Sequence, residues 1–148
     1  MSESTLGDIV ATIDIAAPPT AVWPFLVEEE HVPRWLGCVE YRKEPGHVFY
    51  MQPDPGKRAA GSIEGATHCA VLTLDPPHRF VFSWFLPDTP ETRVEIELEA
   101  QGEGTRVTLT HSGWDQFDPA DIQAIYTALA GGWTSSVLPN LKQSVEEG

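Results

Sequence analysis

The last third of the chain limits the possible folds more strongly than any other part. Residues 92–100 (TRVEIELEA) and 105–112 (TRVTLTHS) alternate apolar and polar side chains, as half-buried strands do, with Gly102 and Gly104 between them. After Trp114, apolar side chains recur every three or four residues almost to the C-terminus, as on one face of a helix. A hairpin followed by one long helix predicts a sheet that wraps around that helix, and such a shape can enclose a pocket.

The C-terminal helix has its own start signal and an irregularity further along. Asp118 can cap the first turn, and Pro119 suits the first helical position, where the missing N–H would have no partner. Pro139 interrupts the helix because it cannot donate a backbone hydrogen bond, so we expect a kink near Ser135. The predicted apolar face consists of Ile122, Tyr126, Leu129, Trp133, Val137 and Leu141.

The remainder of the chain completes the predicted sheet. Weak alternation over residues 8–16 indicates a first strand, and two short helices follow, one opening at Pro19 and one over residues 30–36. Further strands are predicted over residues 38–44, 47–52, 62–74 and 79–86, whereas residues 52–57 have the composition of a loop. The sequence therefore predicts an α+β protein with about seven strands.

The balance of charge excludes some partners. The chain has 9 basic and 22 acidic residues, a formal net charge of −13. A surface of that sign repels phosphate, which argues against nucleic acid and against an anionic membrane. No apolar stretch reaches the roughly 20 residues of a membrane span, and the N-terminus has no signal-peptide pattern. We therefore expect a cytoplasmic protein forming one domain over residues 1–148, with its core over about residues 8–146.

The two cysteines, Cys38 and Cys69, are far apart in the sequence and lie beside apolar residues. Reduced, buried thiols are the simplest interpretation, although the sequence leaves a disulfide open. The five histidines are scattered and no HExxH or close Cys–His pair occurs, so no metal site is predicted. No Gly-rich phosphate loop follows a strand, and no cofactor is predicted.

Several segments together resemble the START-like (SRPBCC) superfamily, and in particular its branch of homologues of the activator of the heat-shock protein 90 ATPase. The similar segments are IDIAAPPTAVWPFL (13–26), HVPRWLG (31–37), LDPPHRFVFSW (74–84), GEGTRVTLTHSGW (102–114) and GWTSSVLPNLKQSVEEG (132–148). This resemblance implies a helix-grip fold, in which a curved antiparallel sheet of about seven strands surrounds the C-terminal helix. It also implies two short helices after the first strand.

The resemblance further implies a cavity between the sheet and the helix. In relatives, the positions that line or rim this cavity match Trp35, Phe49, Trp84, His111, Trp114 and Trp133 of this chain. The aromatic set is equally compatible with an ordinary core. Leu36 departs from the family pattern, because many relatives have a second Trp at that position, and this difference is expected to reshape one end of the cavity.

Two polar groups are candidates for contact with a ligand. His111 shares strand parity with Val107 and Leu109 and should therefore point inward. It could act as a hydrogen-bond donor or general base, or it could be a core histidine held by the backbone or Ser112. Tyr126 lies on the helix face, and its hydroxyl could meet a ligand or reach water.

Three functions fit the sequence. The leading hypothesis is binding of a small apolar molecule in the cavity. The alternatives are a chaperone cofactor or other protein-interaction module, and a cavity enzyme of the cyclase or hydrolase type that uses His111. Because no nucleophile motif accompanies His111, the sequence favours a binding protein over an enzyme. Aromatic residues near a cavity mouth would also suit a homodimer surface.

Overall fold

The computed structural model describes residues 7–52, 54–86, 89–117 and 119–147, without the side chains of residues 119–121. The predicted cap Asp118 lies outside these residues. The chain forms one antiparallel seven-stranded sheet in the order β1-β7-β6-β5-β4-β3-β2. The strands are β1 (Ile9–Ile15), β2 (Cys38–Val39), β3 (Val48–Met51), β4 (Thr67–Asp75), β5 (Arg79–Phe85), β6 (Thr92–Gln101) and β7 (Gly104–Ser112).

The helices occupy three places along the chain. Helices α1 (Pro19–Val27) and α2 (Val32–Leu36) follow β1, and the short α3 (Pro55–Ala59) follows β3. The C-terminal part runs from α4 (Pro119–Gly132) through a π-helical turn (Trp133–Val137) into α5 (Leu138–Glu147). The predicted helix-grip architecture, with a curved sheet around a long C-terminal helix, is confirmed. No helix in the described part of the chain is long and apolar enough to cross a membrane.

The β6–β7 hairpin shows why the alternating segments form strands. Val94, Ile96 and Leu98 are buried on the concave face, whereas the intervening Glu97 is exposed on the convex face. Their partners on β7 follow the same rule, with Ile96 opposite Leu109. Because side chains alternate between the faces of a strand, the apolar set covers the core continuously.

The predicted strand over residues 38–44 is wrong beyond Val39. Glu40 adopts a left-handed conformation with φ of 61°, which turns the chain out of the sheet. Tyr41 is buried below it and donates a hydrogen bond of 2.6 Å to the carbonyl oxygen of Val27. The strand predicted from residue 62 likewise begins only at Thr67.

The segment predicted as a loop contains helix α3. Asp54 precedes this helix, and its carboxylate accepts a hydrogen bond of 3.0 Å from the backbone N–H of Lys57. Pro55 then occupies the first helical position. Asp-Pro is both a turn signal and a helix-start signal, and here the second meaning applies.

The predicted kink near Ser135 takes the form of the π-helical turn. This turn inserts one extra residue, so the buried position after Trp133 is Leu138 rather than Val137, which is only partly buried. The hydroxyl of Ser135 donates to the Gly131 carbonyl oxygen at 2.8 Å. Pro139 has no N–H to donate to a helical carbonyl, and the irregular turn accommodates this missing hydrogen bond. The extra residue of the turn also keeps the apolar face on the same side of the helix.

Candidate functional site

The structure brings five of the seven predicted site residues into one aromatic cluster, which consists of Trp84, His111, Trp114, Tyr126 and Trp133. The His111 ring lies at its centre, with its centroid 4.6 Å from Trp114, 5.3 Å from Trp84 and 5.9 Å from Trp133. Tyr126 packs edge-on against Trp114 at 5.3 Å. The cluster joins the sheet to the C-terminal helix.

The other two predicted residues lie elsewhere in the core. Phe49 packs edge-on against Tyr41 at 5.2 Å and against Phe82 at 5.6 Å. Trp35 donates its indole N–H to the carbonyl oxygen of Phe25 at 3.0 Å. Both side chains are essentially inaccessible to solvent.

His111 points inward, as its strand parity predicts, and has no exposed surface. Its partners are neither the backbone nor Ser112, because Ser112 has the opposite parity on β7. Instead, Nε2 lies 2.7 Å from the hydroxyl of Thr92, and Nδ1 lies 3.3 Å from the indole nitrogen of Trp133. His111 therefore has the geometry of a core histidine, but its partners are Thr92 and Trp133.

The hydrogen bonds assign the tautomer of His111. The Thr92 hydroxyl donates its proton to the carbonyl oxygen of Trp84 at 2.6 Å, so it must accept from Nε2. The indole of Trp133 can only donate, so Nδ1 must accept. The ring is neutral with its proton on Nε2, and burial lowers its pKa from 6.5 to about 3.

Tyr126 is partly buried near the outer end of the aromatic cluster. Its hydroxyl donates a hydrogen bond of 3.0 Å to the carbonyl oxygen of Gly7, just before β1. This contact ties α4 to the start of the sheet. Contact between a ligand and any of the seven residues stays a prediction.

A groove of about 270 Å³ opens between the sheet and the C-terminal helix. We call it the mouth groove. Trp84 is the member of the aromatic cluster that also lines it. The other lining residues are Leu36, Gly37, Met51, Gln52, Arg58, Thr67 and Leu129. Larger depressions of about 340, 370 and 440 Å³ lie elsewhere on the surface, but charged side chains of both signs line each of them.

The register of the sheet explains the position of the mouth groove. Cys38 lies opposite Met51, which lies opposite Thr67, so this row forms the open end of the concave face. The next row includes Trp84, which lies opposite Cys69. Leu129 approaches from α4 on the other side. The groove therefore lies at the open end of the sheet, and of the seven predicted site residues Trp84 lines it.

Leu36 and Gly37 form one wall of the groove at the end of α2. Gly37 has a φ of 70°, a left-handed conformation that suits glycine at the end of a helix. A Cβ atom at this position would lie 3.3 Å from Nη1 of Arg58. Glycine thus ends the helix and leaves room for the guanidinium at the rim.

Gln52 is buried, and both N–H groups of its side chain already donate to the protein. Its side-chain nitrogen donates to the carbonyl oxygens of Ser62 and Glu64, both at 3.0 Å. Its side-chain oxygen accepts from the backbone N–H of Asp54 at 3.2 Å. This residue therefore fixes the segment that carries Arg58.

Both cysteines are free and buried, as predicted. Burial raises the pKa of Cys38 to about 12, although the nearby positive charge of Arg58 acts in the opposite direction. Burial also raises the pKa of Cys69. Among the described residues, no three His, Cys, Asp or Glu side chains lie close enough together to hold a metal ion.

Residues 16–146 match the family model described as "Activator of Hsp90 ATPase homolog 1-like protein". No protein with a curated description matches the chain. Among solved structures, MLL2253 from Mesorhizobium loti is 24% identical with a TM-score of 0.76, and the alignment covers 95% of this chain and 97% of that one.

Two further structures show the same fold. BH1534 from Bacillus halodurans is 26% identical, with a TM-score of 0.73 and coverage of 97% of this chain and 99% of that one. PFC0360w from Plasmodium falciparum, an HSP90 activator, is 16% identical with a TM-score of 0.72. The alignment covers 95% of this chain and 97% of the PFC0360w chain.

Proposed function

This chain belongs to the family of Activator of Hsp90 ATPase homologue 1-like proteins, and from that premise we propose that it binds a small apolar molecule in the mouth groove. The supporting observation is the groove itself, which opens between the concave face of the sheet and the C-terminal helix. Leu36, Met51, Trp84 and Leu129 supply apolar surface on three sides. A cytoplasmic location is part of this proposal.

The size of the groove limits the ligand and its affinity. About 270 Å³ corresponds to roughly nine water volumes of about 30 Å³, so the ligand is small. Burying about 300 Å² of its apolar surface, at roughly 25 cal/mol per Å², contributes about 7.5 kcal/mol. Association costs at least about 4 kcal/mol, which leaves at most about 3.5 kcal/mol, or a Kd of about 3 mM, for a neutral ligand without polar anchors.

The substitution Leu36→Trp tests this proposal. Indole would occupy part of the groove that Leu36 lines. We expect 1-octanol to bind the parent protein and to lose most of its affinity for the variant. Leu72→Trp is the matched control, because Leu72 is exposed on the sheet far from the groove lining.

Binding can be followed at Met51, because the chain has only two methionines and the other is Met1. The ε-methyl resonance of Met51 should shift when 1-octanol is added, which also gives a result if Leu36→Trp does not fold. No shift at millimolar ligand, or undiminished binding to a folded Leu36→Trp protein, contradicts the proposal. Mass spectrometry after gentle purification then identifies a natural ligand.

A second candidate function is that of a chaperone cofactor. It is supported by the family match and by the likeness to PFC0360w, an HSP90 activator with the same fold. If this function holds, the purified protein raises the ATPase rate of Hsp90 from the same organism and is retained by it in a pull-down. An unchanged rate at a tenfold molar excess excludes it. A homodimer would be detected by light scattering.

The enzyme alternative has the least support. A general base needs a free lone pair near its substrate, but Nδ1 of His111 accepts from Trp133, and Nε2 carries a proton donated to Thr92. The ring is also closed off from solvent. A cavity reaction using His111 would require this whole network to open.

A further inference from the structure

The indole N–H of Trp84 has no hydrogen-bond acceptor among the described residues, although this side chain is only 4% exposed. Three other tryptophans, Trp35, Trp114 and Trp133, donate their N–H groups to protein acceptors at 3.0 to 3.3 Å. Buried donors without a partner are rare in native proteins, because desolvation is not compensated. Trp84 is also the tryptophan that lines the mouth groove. Its N–H is therefore a donor that the described residues leave without an acceptor, on a side chain that borders the groove.

Arg58 provides a second donor group at the same groove. Its Nη1 donates to the carbonyl oxygen of Gln52 at 2.7 Å, which fixes the guanidinium at the rim above Gly37. A guanidinium has five N–H donors. Among the described residues, no carboxylate lies within ion-pair distance of it. The remaining donors are therefore available to an anion.

The acids on the same segment have other partners. The Asp54 carboxylate accepts the backbone N–H of Lys57 at 3.0 Å, and Glu64 lies 3.3 Å from the Lys57 ammonium. Among the described residues Arg58 therefore has no acidic partner, in a protein whose net charge is −13. The positive charge of Arg58 also acts to lower the pKa of the buried Cys38 thiol, against the larger effect of burial.

We propose that the mouth groove binds a monocarboxylate that has an apolar body and about nine to twelve non-hydrogen atoms in total, as the groove volume allows. The carboxylate accepts hydrogen bonds from Arg58 and the indole N–H of Trp84, and the body packs against Leu36, Met51 and Leu129. An arginine and a carboxylate match in shape as well as charge, since both are planar and can form two parallel hydrogen bonds. This inference rests on the proposed function and specifies its ligand class.

The comparison of octanoate with 1-octanol isolates the contribution of the head group to the affinity, because both compounds carry the same heptyl chain. Charge-assisted hydrogen bonds should make octanoate bind the parent protein about tenfold to a hundredfold more tightly. The pair 3-phenylpropionate and 3-phenyl-1-propanol repeats the test with an aromatic body. Titrations monitored at the Met51 methyl group give all four dissociation constants.

Two charge-matched variants identify the anchor. Arg58→Gln should remove the preference for octanoate, whereas Arg42→Gln, which removes an exposed arginine charge elsewhere, should retain it. Arg58→Lys keeps the charge without the planar fork and should show an intermediate preference. If a folded Arg58→Gln protein still prefers octanoate, the assignment of Arg58 is overturned.

The indole N–H of Trp84 gives an independent readout. Its ¹H–¹⁵N resonance, assigned by its loss in Trp84→Phe, should move when octanoate binds, while that of Trp35 stays in place. If the parent protein binds octanoate and 1-octanol equally, or if the Trp84 resonance does not move, the carboxylate inference fails and apolar binding stands. If neither compound binds, the proposed function fails as well.

Discussion

Trp133 of the C-terminal helix donates its indole N–H to Nδ1 of His111 on the last strand, over a buried distance of 3.3 Å. The same ring donates its own N–H from Nε2 to Thr92 at 2.7 Å, and Thr92 donates to the Trp84 carbonyl oxygen. Four residues therefore form one chain of hydrogen bonds that links the helix to the sheet. Such a network is sensitive to the loss of any member, because the remaining buried polar atoms lose their partners.

Thr92→Val should lower the free energy of unfolding by about 1–3 kcal/mol. Valine has nearly the same shape as threonine, but it leaves Nε2–H of His111 without an acceptor in a buried site. Urea unfolding followed by circular dichroism measures the loss. Thr110→Val is the control on the convex face of β7, where a change within about 0.5 kcal/mol is expected. Equal effects of the two substitutions would show that the network contributes nothing.

Stability should also fall between pH 6.5 and pH 5 because of His111. Burial lowers its folded-state pKa from 6.5 to about 3, so the unfolded chain binds a proton in this range while the folded protein does not. Protons then favour unfolding, by roughly 1.4 kcal/mol per pH unit below 6.5, or about 2 kcal/mol at pH 5. His111→Gln should remove this dependence, whereas substitution of the exposed His78 by Gln should not.

Nuclear magnetic resonance checks the same property without a substitution. The ring protons of His111 should keep constant chemical shifts from pH 8 to pH 5 in the folded protein. A titration midpoint near 6.5 would mean that the ring is exposed to water or that its network opens readily.

The sequence predicted those elements whose pattern reflects burial on one face. The β6–β7 hairpin is the clearest case, because Val94, Ile96 and Leu98 alternate with polar residues over nearly the whole strand. The end of β2 could not be predicted in this way. It depends on the left-handed conformation of Glu40 and on the hydrogen bond from Tyr41 to α1, and neither leaves a periodic pattern.

The groove was predictable only in part. Met51 shares strand parity with Phe49, so its inward direction could have been read from the sequence. Trp84 followed from the family resemblance, as did the expectation that Leu36 changes one end of the cavity. Arg58 could not be identified, because it lies in the Pro- and Gly-rich segment and its position is set by contacts with Gln52 and Gly37.

Neither cysteine should react with thiol reagents in the folded protein at pH 8. Burial raises the pKa of Cys38 to about 12 and also raises that of Cys69, so the reactive thiolate is scarce as well as inaccessible. Labelling with iodoacetamide, read by mass spectrometry, should give no adduct on the folded protein. Two adducts should form in about 6 M guanidinium chloride, a concentration that unfolds even very stable domains. Rapid labelling of Cys38 in the folded state would show that the open end of the sheet admits solvent.

Two glycine substitutions should change stability in opposite directions. A Cβ atom on Gly104 would lie only 2.6 Å from the backbone carbonyl oxygen of Ile15, so Gly104→Ala must push β1 away from β7. We expect a loss of about 1–3 kcal/mol in the free energy of unfolding. Gly131 lies in α4, where a Cβ atom would meet nothing within 4 Å, and Gly131→Ala should stabilise the protein by up to about 1 kcal/mol. Urea unfolding of both variants measures the difference, and a destabilised Gly131→Ala protein would show that the helix before the π-helical turn needs the flexibility of glycine.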